Sequence, residues 1–179
     1  MADSVRTRTS LLSLYADNST QNISPQDLRD GIVSVMGVLA HLYVTGNSTA
    51  QTGIGTSYVT VDWGNGGGDG DDDNAASDYA NDRIEVGSLG DGVYLLAFQA
   101  SFTGSASAEF TFAIANNGTP LTGAVCMHEF TAAAEKGSCS IVALATLSDG
   151  DLVTVQVKAD AASKQITMAE AQLVAKRLK

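Results

Sequence analysis

The sequence predicts a mainly β protein, a sandwich of two sheets preceded by a short N-terminal helical segment, on three observations. Residues 152–158 alternate strictly, with Val153, Val155 and Val157 on one side and Thr154, Gln156 and Lys158 on the other, the period-two burial of one sheet face. Residues 141–147 set Ile141, Ala143, Ala145 and Leu147 against Val142 and Leu144, so this strand is apolar on both faces and needs cover on each. Between them, Ser148-Asp149-Gly150-Asp151 supplies residues that tolerate the positive φ of a tight connection, which gives the reversal a local cause.

The totals limit what such a sandwich can be. At 179 residues, 44% hydrophobic and 17% charged, one compact unit with an appendage is expected. A net charge of -10, with only 10 Lys and Arg and those scattered, argues against a nucleic-acid surface, because neutralising phosphates needs clustered bases. No stretch approaches membrane-spanning length, so no membrane insertion is expected. The broken apolar run of residues 1–18 is too short for a signal-peptide core, so export is not expected either. Cys126 and Cys139 fall where they face each other across a hairpin with its tip near residues 132–136. A disulfide is conceivable there, but without a secretion signal two reduced, buried thiols are expected. Neither cysteine has a CxxC partner or a nearby His pair, and no cofactor is expected.

Residues 1–45 read as a helical base, residues 46–56 as a linker and residues 57–179 as the β-sandwich. Thr9 or Ser10 caps a short helix carrying Leu11, Leu12, Leu14 and Tyr15. Ser24-Pro25-Gln26-Asp27 then starts a second helix, with Leu28, Ile32, Val35, Met36 and Leu39 at helical spacing. Gly31 and Gly37 weaken it. So narrow a stripe is stable only against a partner, such as the same helix in other subunits. Leu11, Leu12, Leu14, Tyr15, Leu28, Ile32, Val35 and Leu39 are therefore the expected attachment or base-packing residues, and His41 a surface or cap residue.

In the sandwich, Val59, Val61 and Trp63 alternate with Tyr58, Thr60 and Asp62 in a first strand, with Trp63 equally suited to core or to surface. The glycine run after Trp63 is expected to end pairing. Six of the twenty acidic residues follow within residues 69–82. Their spacing fails a calcium loop, which would need Asn74 to be glycine and Ala80 to be a bidentate glutamate, so a solvated loop is expected. Strands are predicted at 83–86, 92–103, 106–116 and 123–130, before the pair described above. Tyr94, Leu96, Phe98, Ala100 and Phe102 line one face of their strand, and Phe110, Phe112 and Ile114 one face of the next. The opposite face of the first carries Val93, Leu95 and Ala97, a doubly apolar strand whose second cover is expected from a neighbouring subunit. Asn116-Asn117-Gly118-Thr119-Pro120 is a turn. Residues 165–178 fit a helix with Ile166, Leu173, Val174 and Leu178 on one side. They equally fit a strand with Ile166, Met168, Leu173 and Ala175 inward and a bulge near Glu170. His128-Glu129 is the only His-acid neighbour pair. On a strand these two point to opposite faces, and with no nucleophile elbow, phosphate loop or metal spacing elsewhere, no enzyme is expected.

Four segments in order carry a family resemblance: GVYLLAFQASF, EFTFAIANNGTP, LSDGDLVTVQV and ITMAEAQLVAKRL. Together they resemble the jelly-roll head of the tumour necrosis factor and complement globular-head superfamily. The resemblance implies a jelly-roll β-sandwich closed by residues 165–178 as a strand. It also implies a homotrimer about a three-fold axis, which assigns Val93, Leu95, Val142 and Leu144 to a trimer interface. Separately, SLLSLYADNSTQNISPQDLRDGIVSVMG is similar to the opening of many small phage virion proteins. This implies a structural virion protein, assembled in the host cytoplasm, whose helical base contacts the major capsid protein or another virion protein. A capsid decoration or cement protein on the outside of a phage head is the expected role. The alternative is the receptor-binding knob of a tail or head fibre, with a host surface receptor as partner.

Overall fold

Alternation becomes twelve strands and one turn of 3-10 helix in a computed structural model, which describes residues 39–64, 66–70, 74–133 and 135–178. Leu11, Leu12, Leu14, Tyr15, Leu28, Ile32 and Val35 lie outside the described residues. The strands are β1 (Leu39–Val44), β2 (Gln51–Ile54), β3 (Val59–Thr60), β4 (Gly67–Asp69), β5 (Ala75–Asp78), β6 (Arg83–Val86), β7 (Gly92–Gly104), β8 (Ala108–Asn116), β9 (Thr119–Phe130), β10 (Lys136–Leu147), β11 (Leu152–Ala159) and β12 (Lys164–Arg177). The first sheet runs β10-β7-β12-β1-β4 with β2 on β12, and the second β5-β6-β11-β8-β9 with β3 on β11. All the pairings are antiparallel.

The core lies between the two sheets. Tyr94, Leu96, Phe98 and Phe102 of β7 are buried against Phe110, Phe112 and Ile114 of β8 and Val153, Val155 and Val157 of β11. Phe102 and Phe98 meet Phe112 at ring separations of 4.8 and 6.0 Å, within the range of favourable aromatic packing. Trp63 is fully buried with its ring edge-on to Phe98, so it is core, whereas Val59 is exposed and its strand is reduced to two paired residues. The C-terminal segment is a strand. The β12–β7 register shifts between Met168 and Glu170, and Ile166, Met168, Leu173 and Ala175 all face inward. Ladders to β7 on one side and β1 on the other outweigh its helical propensity.

Three expectations are corrected. Leu39–Val44 is a strand in the middle of the first sheet and not the end of a helix; Ala40, Leu42 and Val44 point inward, and Leu39 stands exposed on the outer face. The linker of residues 46–56 contains β2, whose Ile54 is buried. The glycine and acid-rich stretch does not end pairing, since it supplies β4 and β5. Its glycines serve close approach: a Cβ on Gly68 would lie 2.5 Å from Ser77 Cβ, and one on Gly70 would lie 2.6 Å from the Ala75 carbonyl oxygen. Ser77 Oγ sits 2.7 Å from both the His41 and the Asp69 carbonyl oxygens, which ties β5 of the second sheet to β1 and β4 of the first. Asp71, Asp72 and Asp73 lie outside the described residues.

The connection at residues 148–151 also differs in kind. β10 and β11 do not pair with each other; β10 pairs with β7 and β11 with β8, so the turn carries the chain from one sheet to the other. Asp151 secures it. Its Oδ2 accepts from Ser148 N at 2.9 Å and Asn116 Nδ2 at 3.1 Å, and its Oδ1 accepts from Asn117 Nδ2 at 2.7 Å. Asn117 Oδ1 in turn accepts from Leu152 N at 3.0 Å. The β8–β9 turn, with Asn117 and Gly118 at positive φ, is thereby joined to the sheet-to-sheet crossing.

Removing the packing centre should be costly. Phe112→Ala should lower unfolding free energy by about 3–5 kcal/mol in urea titration. Asp151 gives a pH signature. Burial raises its pKa, but the Ser148 N–H and the Asn116 and Asn117 amides outweigh that and hold the carboxyl below its ordinary value of 3.8. With the folded value depressed, its contribution is complete above the unfolded value and is lost as pH falls through the folded one. Asp151→Ala should cost about 1–2 kcal/mol at neutral pH from the lost hydrogen bonds. The variant should also lose less stability than the wild type on acidification below 3.8.

Candidate functional site

The outer face of the first sheet is built by the residues that the inward pleat leaves over. Along each rung β10, β7, β12 and β1 stand side by side. One rung is Leu144, Leu95, Lys176 and Leu39; the next is Val142, Ala97, Val174 and His41. Val142 and Leu144 are each 66% exposed and Leu39 is 50% exposed, while Val93 and Leu95 are half-buried. Isolated exposed apolar side chains are ordinary on a protein surface, but rungs of them side by side form a patch of the kind that marks an interaction face. Lys176 is the one charged side chain in these two rungs.

The character of the face changes at the next rungs. Ser140, Gln99, Gln172 and Tyr43 stand on one, and Ser138, Ser101 and Glu170 on the other. Here an open cavity of about 700 Å³ is lined by the polar side chains of these rungs together with Val44, Ala100, Ala171, Cys126 and Cys139. Glu170 stands at the β12 bulge and its Oε1 accepts from Gly46 N at 2.9 Å, which ties the bulge to the loop after β1. The His41 and Tyr43 rings stack at 5.5 Å along β1. The face thus has an apolar end and a polar, concave end.

Val93, Leu95, Val142 and Leu144, expected on one uncovered face, are brought together there. Leu39 joins them from a strand and not from a helix, as do His41, Tyr43 and Val174. Strict alternation of Leu39, His41 and Tyr43 with Ala40, Leu42 and Val44 was the signal that points to this, and it competes with the helical spacing that also ends at Leu39.

Other chemistry-bearing residues are placed differently. His128 is half-buried with its ring 4.6 Å from Phe130 and 5.4 Å from Phe102, while Glu129 is exposed on the opposite face of β9. Among the described residues no group of three or more His, Cys, Asp or Glu is placed to hold a metal ion. Cys126 and Cys139 are both free thiols, Cys139 buried and Cys126 half-buried.

No protein-family model matches the chain, and no curated protein sequence matches it significantly. Solved structures do. Murine APRIL, determined at pH 5.0, is similar over 79% of this chain and 99% of its own, with a TM-score of 0.54 and 19% identity. Eiger TNF from S. frugiperda is similar over 80% of this chain and 94% of its own, with a TM-score of 0.55 and 14% identity. The fold is a tumour necrosis factor-like jelly roll. At these identities the likeness extends to the fold and no further, and in both cases nearly the whole of the solved chain is matched.

Proposed function

We propose that this jelly roll is a structural virion protein that assembles as a homotrimer and decorates the outer surface of a phage head, held there by its N-terminal segment. The observation that carries self-association is the outer face of the first sheet, where Val142 and Leu144 stand in water beside Val93, Leu95 and Leu39. Burying a Val or Leu side chain stabilises by about 1.5–3 kcal/mol, so covering several of them with copies of the same chain supplies a strong drive to associate. A closed ring of three copies seals each such face without leaving an open end. The likeness of residues 10–37 to the opening of phage virion proteins supports a virion component with the N-terminal segment as its anchor, and a length too short for a fibre shaft favours the head. Because β1 begins at Leu39, we place the end of the anchor before it.

In light scattering the full chain should have three times the 18.4 kDa protomer mass. Leu144→Asp places a charge on the exposed apolar rung without touching the core, and should yield a folded monomer by circular dichroism and scattering. A monomeric wild type overturns the self-association. The chain should also sediment with intact heads in phage lysates. Deleting residues 1–38 should abolish that while leaving the trimer intact, and continued decoration by the truncated form overturns the anchor. Selective binding of the purified trimer to host over non-host cells would instead favour a receptor-binding knob.

A further inference from the structure

The two edges of the sandwich are closed by different means. On one edge Ser77 bridges β5 to β1 and β4. On the other, β9 is the outer strand of the second sheet and β10 the outer strand of the first, and no ladder joins them. The chain passes directly from β9 to β10 through a corner at residues 131–135, where Glu135 Oε2 accepts from Thr131 N at 2.9 Å and Ala132 N at 3.2 Å. Just beyond the corner Gly137 lies against His128, so close that a Cβ there would be 2.7 Å from the ring. Two residues farther from the corner on each strand stand Cys139 and Cys126, so the same antiparallel crossing sets them opposite each other. Both thiols are free and both line the same cavity.

We propose that Cys126 and Cys139 are a redox pair that closes into an intramolecular disulfide under an oxidising thiol-disulfide environment, clipping β9 to β10 at the edge that has no ladder. The half-buried Cys126 is the point of entry. As the thiolate it attacks a small disulfide such as oxidised glutathione, forming a mixed disulfide and releasing one glutathione thiol, which takes up the proton lost by Cys126. Cys139 then gives up its proton, attacks the Cys126 Sγ and displaces the second glutathione thiol. The two cysteines are oxidised and one external disulfide is reduced to two thiols. Burial pushes the Cys139 thiol up, so the closing step accelerates as pH rises. The clip encloses only residues 127–138 and restrains the unfolded chain accordingly.

The test uses the full chain, reduced and then equilibrated with oxidised glutathione at mildly alkaline pH. Both thiols should be lost to a thiol reagent in denaturant. The mass should fall by two hydrogens with no glutathione retained, and the chain should run as a single protomer on a non-reducing denaturing gel. Tm should rise by about 5–10 °C and return on adding dithiothreitol. Cys139→Ser should stop at the glutathione adduct on Cys126 and show no such rise. Unchanged thiols, a stable glutathione adduct on the wild type with Cys139 still titrating, or cross-links only between chains would each overturn the proposal.

Discussion

The register of β7 against its two neighbours is the constraint on which the rest of this molecule depends. Its even-numbered residues carry the aromatic rings that fill the space between the sheets, and of its odd-numbered residues Val93, Leu95 and Ala97 are small or aliphatic and Gln99, Ser101 and Thr103 polar. A slip of one residue would exchange Tyr94, Leu96 and Phe98 for Val93, Leu95 and Ala97. Apolar character alone does not choose between these two sets, because both are apolar. Size does. Stacked sheets stand about 10 Å apart, a gap that rings bridge and short aliphatic side chains do not. Phe102 and Phe98 reach Phe112 across that gap, and once they do, Val93, Leu95 and their neighbours on β10 are committed to the outside.

The core and the candidate interaction face are therefore two sides of one decision. Packing the inside with aromatics leaves an outer face that is too apolar for an ordinary solvated antiparallel sheet at one end and concave and polar at the other. The strand edges are handled separately, since an edge with unpaired backbone groups invites unwanted pairing. On one side the glycines at 68 and 70 let β4 come close enough to β5 for Ser77 to bridge the sheets. On the other side β9, an edge strand that accommodates Pro120, turns a corner into β10, and Cys126 and Cys139 line one cavity there. The Asp151 carboxylate secures the crossing between sheets at residues 148–151 by binding the β8–β9 turn at the same time.

Residues 83–159 were readable in the sequence nearly strand for strand, because alternation, aromatic spacing and turn residues agree there. The residues of the last strand fitted a helix equally well, and only the family resemblance favoured the strand; in that reading the bulge fell near Glu170, where the inward pattern of Ile166 and Met168 changes phase before Leu173 and Ala175. What the sequence hid has physical reasons. Leu39 completes a helical stripe and also begins a period-two pattern, and only pairing with β12 and β4 decides between them. The run of glycines and aspartates looks like a loop by composition, yet the missing side chains are what allow three backbones to pass closely. The turn at Asp149-Gly150 announces a reversal but not whether the next strand joins the same sheet. Of the candidate face, Val93, Leu95, Val142 and Leu144 were legible as surplus apolar residues. His41, Tyr43 and Val174 were not, because their place depends on which strands become neighbours.

Cover for that face is the central claim, and side-chain footprinting by hydroxyl radicals reads it directly. In the protein at working concentration Val142 and Leu144 should be as protected from labelling as the buried Leu147 and Ile141, and they should become reactive on dilution or in the Leu95→Asp variant. Ready labelling of Val142 and Leu144 at every concentration, with Leu147 protected throughout, would mean that the face remains in water and would contradict the account.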